Sequence, residues 1–135
     1  MGDKPILFSG PMVRAILEGR KTQTRRILTA FCDLPPAFVE GDVVTALDPY
    51  GFPYRWPKTH AVGDRLWVRE AWRASSAHDD ISPSEIPRGD TVEYVADGKW
   101  QVVNGKCRPS MFMPRWASRI TLLVTDVRVQ RLQEI

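Results

Sequence analysis

The residues best suited to bind an anion form one basic run near the start of the chain. Five cations fall within thirteen residues: Arg14, Arg20, Lys21, Arg25 and Arg26. Such a local density of positive charge attracts phosphate. A solvated, charged surface is an equally simple interpretation of the same run. Composition alone does not separate the two.

The position of Lys21 favours a binding site. Lys21 follows Gly19, the residue at which a preceding helix is predicted to end in a left-handed conformation. The hydroxyls of Thr22 and Thr24 then join the ammonium group and the turn amides at one corner. We expect the ligand contacts to come from this corner, with the neighbouring cations Arg20, Arg25 and Arg26.

Glu70 is the second residue that calls for an explanation. Strict alternation over residues 65–73 places Glu70 on the same face as Leu66, Val68 and Trp72, which we expect to be buried. An unpaired buried carboxylate is costly, so Glu70 must find a cation or hydrogen bonds, or keep its proton. We expect Lys21 or a nearby arginine to be the partner, in a structural salt bridge that closes a barrel or in a site.

Trp67 lies between Arg65 and Arg69 on the opposite face of the same predicted strand. Aromatic rings between cations are typical of surfaces on which unstacked bases lie. Trp67 and Arg69 are therefore candidate ligand contacts. Most of the five tryptophans are nevertheless expected to pack in the core or at its rim, Trp72 above all.

Proline, glycine and hydrophobic patterns predict the elements that position these residues. A strand over residues 5–8 precedes a helix that is capped by Ser9 or Gly10, has Pro11 at its first helical position and ends at Gly19. Residues 22–28 are predicted to be extended. Hairpins are predicted from residues 43–47 with 52–56 and from 90–96 with 100–103. Residues 74–89 are predicted to be a flexible loop, 108–116 an extended crossing segment, and 118–132 a long strand with a bend.

The size and composition of the chain limit the classes of protein. A chain of 135 residues fits one domain, and it lacks an apolar run of the roughly 20 residues that a membrane span needs. No signal-peptide pattern is present, so we expect a cytoplasmic protein. The two cysteines form no paired motif and His60 and His78 have no spaced partner, so we expect neither a metal site nor a cofactor.

Residues 19–26, Gly-Arg-Lys-Thr-Gln-Thr-Arg-Arg, resemble the signature of the ASCH family. Three longer blocks, at residues 4–11, 63–70 and 113–120, are similar to phage and prophage ASCH proteins. The resemblance implies an α+β, mainly β fold, a small PUA-like mixed β-barrel with one or two short flanking helices, as a single domain over residues 1–135. It also implies a cleft, lined by the signature, that faces RNA or nucleotides. Related phage sequences continue with an acidic helical tail, so the chain is expected to be either a truncated or a natural short form.

One enzymatic branch of the family, an acetylcytidine amidohydrolase, uses a lysine, a threonine and a glutamate. On the motif the first two are Lys21 and Thr24. The glutamate of that branch lies in a helix after the late strand, where this chain stops, so Glu70 or Glu134 would have to replace it. Another branch is a metal-dependent ribonuclease, but no acidic pair here has two-metal spacing.

Three hypotheses for the function follow. The first is a monomeric module that binds RNA, a nucleoside or a nucleotide through Lys21, Arg25 and Arg26 without covalent chemistry. The second is an amidohydrolase acting on an acylated nucleoside, with neutral Lys21 as the base or Thr24 as a nucleophile. The third is a phage-encoded interaction module whose barrel edge or proline-rich loops bind a protein partner, which an apolar surface patch without a basic cleft would favour.

Overall fold

The computed structural model describes residues 3–25, 38–40, 43–47, 50–57, 60–99, 102–128 and 130. Within these ranges the chain is α+β and mainly β, with one α-helix and nine short strands. This confirms the coarse fold class predicted from the sequence. In the same ranges the strands form three separate three-stranded sheets rather than a closed barrel. No helix among the described residues is long and apolar enough to cross a membrane.

The strands, numbered in chain order, are β1 (Lys4–Leu7), β2 (Phe38–Glu40), β3 (Val43–Leu47), β4 (Pro53–Pro57), β5 (Arg65–Arg69), β6 (Trp72–Arg73), β7 (Glu93–Tyr94), β8 (Cys107–Arg108) and β9 (Thr121–Leu123). The helix is α1 (Gly10–Leu17). Short 3₁₀ turns occupy Ser76–His78, Pro83–Glu85, Val95–Asp97, Ser110–Phe112 and Arg115–Ala117. The chain divides into two compact units, Met1–Gln23 with Arg65–Leu122 and Thr24–Asp64 with Leu123–Ile135.

Two sheets form the framework of the first unit. In one of them β5 is the central strand, with β1 and β9 as its neighbours. β1 and β5 run parallel, with Lys4 opposite Leu66 and Leu7 opposite Arg69. In the other sheet β6 pairs antiparallel with both β7 and β8. The two central strands are thus nearly consecutive in sequence, and Glu70 lies at the point where the chain passes from one sheet to the other.

Apolar side chains beside β6 form a core cluster in the first unit. Its buried members are Trp72, Ala74, Ile86, Met113 and Ala117. The half-buried side chains Ile81, Val92, Tyr94 and Trp116 pack against them. Trp72 is fully buried, which confirms its predicted place in the core.

Helix α1 is capped by Ser9 and followed by Gly19, as predicted, and it starts at Gly10, one residue before the predicted Pro11. Ser9, with an extended backbone, is the N-cap, and Pro11 lies in the first turn, where its fixed φ suits a helix and its missing amide is not needed. Val13, in the middle of the helix, has a fully buried side chain. On the face toward the turn at Val95–Asp97, Arg14 Nη1 donates a hydrogen bond of 3.1 Å to the Ala96 carbonyl oxygen. The predicted strand at residues 5–8 is also confirmed, one residue earlier, as β1.

The second unit contains the antiparallel sheet β2-β3-β4. β3 and β4 pair with Leu47 opposite Pro53 and Val43 opposite Pro57. This confirms the hairpin predicted from residues 43–47 with 52–56, with its second strand shifted by one residue. Residues 48 and 49 of the predicted turn lie outside the described residues. Gly51, at the end of that turn, has a φ of +84°, which favours glycine.

The prediction of one continuous strand over residues 65–73 is wrong. The ladder stops after Arg69 and resumes at Trp72, because β5 and β6 belong to different sheets. The alternation also fails at Trp67, which is buried together with Leu66 and Val68. Both faces of β5 are therefore covered, one by the interior of the unit and the other by neighbouring side chains.

The second predicted hairpin, residues 90–96 with 100–103, is also wrong in its pairing. β7 pairs with β6, through Tyr94 opposite Trp72. Instead of a strand partner, the amides of Val102 and Val103 donate to the Glu93 carboxylate. Residues 100 and 101 lie outside the described residues.

Residues 74–89, predicted as a flexible loop, are folded against the core. Ile86 is buried. From the neighbouring strand β8, Arg108 reaches across and donates to two carbonyl oxygens of the segment, those of His78 at 2.6 Å and Ile81 at 3.3 Å. His78 Nε2 lies 2.6 Å from Asp90 Oδ2. Backbone carbonyls in this segment are thus satisfied by a buried guanidinium, which a sequence pattern does not reveal.

The predictions for the late segments are only partly correct. Residues 108–116 are not simply extended, because 3₁₀ turns follow Pro109 and Pro114. The strand predicted over residues 118–132 is limited to β9 within the described residues. Val124 instead exchanges backbone hydrogen bonds with Gly63 and Asp64, at 2.8 and 2.9 Å. Residues 22–25 form no strand, and residues 26–28 of that prediction lie outside the described residues.

Candidate functional site

The segment that carries the sequence motif leaves α1 through a closed C-terminal turn. Gly19 has a φ of +73°. Its amide donates to Ile16 at 3.0 Å, and the Arg20 amide donates to Ala15 at 2.8 Å, the two hydrogen bonds of a Schellman motif. The Lys21 amide also donates to the Ala15 carbonyl oxygen, at 3.1 Å. These bonds set the direction in which side chains 20 and 21 leave the helix. We call residues 19–23 the signature turn.

Lys21 is half-buried and lies over an aromatic ring. Its Nζ is 5.5 Å from the centroid of the buried Phe8 ring, an arrangement typical of a cation–π contact. Nζ donates one hydrogen bond, of 2.6 Å, to the backbone carbonyl oxygen of Gln23. Among the residues that the structure describes, no carboxylate pairs with this ammonium group. An ammonium has three donors, so within the described residues two of them are open to an anion.

The remaining motif residues lie at the surface. Arg20 Nε pairs with Glu18 Oε2 at 2.6 Å, and both side chains are exposed. Exposed pairs of this kind contribute little stability, so Arg20 can exchange Glu18 for a phosphate at small cost. Thr22 is exposed, as are Thr24 and Arg25, which belong to the second unit. Arg26 lies outside the described residues.

Glu70 is only 1% exposed, and its partner is Arg119 rather than Lys21. Arg119 Nε donates to Oε2 at 3.1 Å and Nη2 donates to Oε1 at 2.9 Å. This two-point arrangement matches the planar fork of a guanidinium to a carboxylate. The expectation that Lys21 or a neighbouring arginine of the basic run pairs with Glu70 is therefore wrong. The expectation that a buried Glu70 needs a cation is confirmed.

Arg119 also contacts two further side chains. Nη1 donates to Asp97 Oδ2 at 3.0 Å, and the guanidinium carbon lies 4.1 Å from the centre of the Tyr94 ring. The Tyr94 hydroxyl donates to the Ala117 carbonyl oxygen at 2.7 Å. We call Glu70, Tyr94, Asp97 and Arg119 the Glu70 ion network. One cation between two carboxylates leaves it with a formal excess of one negative charge.

The network shifts the pKa of two of its members. Burial raises the pKa of Tyr94; the charge of Arg119 opposes this shift, whereas the charges of Glu70 and Asp97 add to it. Burial by itself lowers the pKa of Arg119, but its hydrogen bonds to Glu70 and Asp97, and their charges, more than offset burial and raise the pKa overall. Arg119 therefore stays charged at every pH at which the protein is folded.

The raised pKa of Tyr94 predicts a loss of stability at alkaline pH. The contribution of the neutral hydroxyl is fully present below the unfolded pKa of about 10 and is lost as the pH rises from there through the higher folded pKa. We expect Tyr94→Phe to flatten the decline of the free energy of unfolding above pH ~10, measured by urea unfolding at a series of pH values. The variant should also be less stable at neutral pH, by about 1 kcal/mol, because the hydrogen bond to Ala117 is lost.

Tyr50→Phe is the matched control, since Tyr50 is almost fully exposed. It should leave the alkaline decline as steep as in the wild type. If Tyr94→Phe and Tyr50→Phe gave the same steepness, the burial of the Tyr94 hydroxyl would not govern the alkaline limb.

Trp67 lies beneath two arginines. It is 7% exposed, and the guanidinium carbons of Arg69 and Arg115 lie 4.6 and 5.6 Å from its ring centre. Arg69 is held by a 3.3 Å bond to the Met111 carbonyl oxygen, and Arg115 by a 2.9 Å ion pair with Asp3. The prediction that Trp67 lies on an open face is wrong, because long arginine side chains cover it. A base can stack on Trp67 only after an arginine has moved.

The network residues Tyr94, Asp97 and Arg119, and Arg115 over Trp67, were not predicted as site residues. The cation demanded by Glu70 is a signal that can be read from sequence, but nineteen lysines and arginines compete for the role. The contact that selects Arg119 spans 49 residues. Among the described residues, no group of three or more His, Cys, Asp or Glu side chains is placed to hold a metal ion.

Comparison of the chain with protein-family models, with curated proteins and with solved structures gives no match. Within the described residues, the signature turn and the Glu70 ion network are the two clusters of charged side chains that bear on function.

Proposed function

We propose that this chain binds RNA or a modified nucleoside, and that the signature turn makes the first contact with the ligand. The observation that carries the proposal is the state of Lys21. Its ammonium is oriented by the Phe8 ring and by one carbonyl oxygen, while no described carboxylate neutralises it. A cation held in place but not neutralised favours binding of an external phosphate or other electron-rich group.

Two neighbours support this interpretation. Arg20 makes only an exposed ion pair with Glu18, which a ligand phosphate can replace. Thr22 is exposed and supplies a hydroxyl beside the two cations. Phosphate contacts of this kind give affinity without sequence selectivity, so recognition of a particular base has to come from other residues.

The finer fold assignment belongs to the same proposal. A PUA-like mixed β-barrel is expected from the resemblance of residues 4–11, 19–26, 63–70 and 113–120 to ASCH proteins. The parallel pairing of β1 with β5, next to antiparallel sheets, is consistent with a mixed architecture of that kind.

We propose a binding role rather than hydrolysis, because Glu70 is not available as a catalytic carboxylate beside Lys21; Glu134, the other candidate, lies outside the described residues. Glu70 is buried and both of its oxygens are bound by Arg119. A general base or acid must reach the reacting group, within about 3 Å or through one water. We therefore expect no release of cytidine when the protein is incubated with acetylcytidine, and release would contradict this part of the proposal.

Lys21→Ala is expected to weaken RNA binding and to lower its salt dependence. Loss of one phosphate contact should reduce the slope of log K against log salt concentration by about one. The measurement is a titration of a short fluorescent single-stranded RNA at several salt concentrations. Lys21 lies at the end of α1, where its side chain makes no ion pair with a described residue, so the variant should keep its fold.

Lys106→Ala is the matched control, because it removes the same charge from an exposed lysine outside the signature turn. It should leave the slope unchanged. Equal slopes for the wild type and Lys21→Ala, or equal reductions in the two variants, would contradict a specific role for the signature turn.

A further inference from the structure

A concavity of about 530 Å³ opens in the first unit, beside the 3₁₀ turns Pro83–Glu85 and Arg115–Ala117. Its volume is within the range of about 300–1,000 Å³ that small-molecule sites occupy. The lining combines an indole, apolar groups, guanidinium groups and serine hydroxyls, principally Trp116, Pro114, Ile86, Arg88, Arg115 and Ser84. None of these residues belongs to the signature turn.

Part of the lining is aromatic and apolar, and its side chains are anchored in the core cluster. Trp116 is half-buried and packs against the core cluster that contains Trp72 and Met113. Pro114 directly precedes the turn that carries Trp116 and has the restricted φ of proline, −73°. Ile86 is anchored in the same cluster. A ring that is fixed before binding loses little entropy when a flat ligand stacks on it.

Two arginines in the same lining supply positive charge. Arg115 is partly committed, since its Nη2 pairs with Asp3 at 2.9 Å and its guanidinium lies over Trp67. Arg88 is exposed, and within the part of the chain that the structure describes it makes neither an ion pair nor a side-chain hydrogen bond. Guanidinium groups bind phosphate through two parallel hydrogen bonds. The Ser84 hydroxyl, which contacts the Ser82 hydroxyl at 2.9 Å, adds a further polar group.

We infer that this concavity binds an aromatic ring that carries a phosphate, as in a nucleoside monophosphate or the terminal nucleotide of a strand. The base stacks on Trp116 against Pro114, and the phosphate is bound by Arg88 with help from Arg115. The aromatic and the cationic parts of the lining are chemically distinct, so neither a phosphate ion nor an uncharged ring contacts both parts favourably. The inference does not rest on the proposed role of Lys21.

The test is a titration of the whole ¹⁵N-labelled chain with uridine 5′-monophosphate, followed by NMR. The indole N–H signal of Trp116, identified by its loss in Trp116→Phe, should shift in a saturable manner. Arg88→Ala should weaken this binding roughly 10- to 100-fold, the loss expected for a charge-assisted hydrogen-bonded contact. Lys21→Ala should leave it unchanged, which separates failure of this inference from failure of the proposed function.

Further ligands identify the chemistry of the occupant. Inorganic phosphate and uridine should each bind more weakly than the monophosphate. A 5′-phosphorylated RNA tetramer that binds more tightly than the monophosphate would assign the site to a strand end, and equal affinity would assign it to the mononucleotide. The inference is overturned if inorganic phosphate binds as well as the monophosphate, if Trp116 does not respond, or if Arg88→Ala, with a folded spectrum, binds like the wild type.

Discussion

Replacing Arg119 with alanine is expected to lower the free energy of unfolding by about 3–5 kcal/mol. The reason is the position of Glu70, which is 1% exposed and receives two hydrogen bonds from Arg119. Without the guanidinium, a buried carboxylate is left with neither water nor a cation, and the cost is its desolvation. Asp97 also loses its partner, but it is partly exposed and contributes less. Urea unfolding at neutral pH measures the difference.

A second variant separates the loss of the pair from the loss of packing. The double substitution Glu70→Leu with Arg119→Met removes both charges, and replacing a whole buried pair by apolar groups is often close to neutral. We expect the double variant to be clearly more stable than Arg119→Ala alone. If the single substitution lowered the free energy of unfolding by less than about 1 kcal/mol, water would have to reach Glu70. The result would contradict the role of Arg119 as the cation that Glu70 needs.

Gly105→Ala is expected to destabilise the protein by about 3 kcal/mol or more, although it adds only one methyl group. A Cβ at residue 105 would lie 2.0 Å from the Ala74 carbonyl oxygen and 3.0 Å from Asp79 Oδ1. The Ala74 oxygen also accepts the Gly105 amide at 3.1 Å, so the backbone cannot move apart without breaking that bond. The expected result is a reduced melting temperature and a lower urea midpoint.

Gly10→Ala makes the same chemical change in an open place. The nearest atom to its added Cβ is Arg14 Nη1 at 3.4 Å, the end of a flexible side chain. Gly10 is the first residue of α1, so we expect a change within about 1 kcal/mol, because the better helix propensity of alanine is opposed by crowding of its Cβ against the ring of the following Pro11. Similar losses for Gly105→Ala and Gly10→Ala would contradict the close approach at Ala74.

The elements that could be predicted from sequence are those set by local chemistry. Pro11 and Gly19 bound α1 because one suits a helix start and the other a left-handed end. The β3–β4 hairpin likewise follows from two strand-forming runs around a turn. In each case the interactions that decide the structure join residues fewer than about fifteen apart, so a sequence pattern contains them.

What could not be predicted depends on distant partners. The pairing of β6 with both β7 and β8 is set by which strands meet Trp72, and the hairpin expected over residues 90–103 is replaced by the Glu93 contacts with Val102 and Val103. Alternation failed at Trp67 because arginines bury it from outside. Long side chains that cover aromatic rings blur the distinction between the two faces of a strand.

For the candidate site, the residues were predicted better than their partners. The sequence indicated that Lys21 follows the helix end and that Glu70 is buried, and both are so in the structure. The expected link between the two is absent from the described residues, because Arg119 reaches Glu70 from a segment 49 residues away. Patterns predict which side chain needs a partner, whereas packing decides which partner it obtains.

The parallel pairing of β1 with β5 has a consequence for how the chain folds as it is made. The ribosome releases Lys4 long before Leu66, its partner, and the longer segment of the second unit, Thr24–Asp64, is synthesised in between. β1 therefore leaves the exit tunnel without its neighbour and carries the buried side chain of Ile6 unprotected. Contacts between distant parts of a chain form late and leave apolar surface open to wrong associations, so β1, although made before its partner, is paired late.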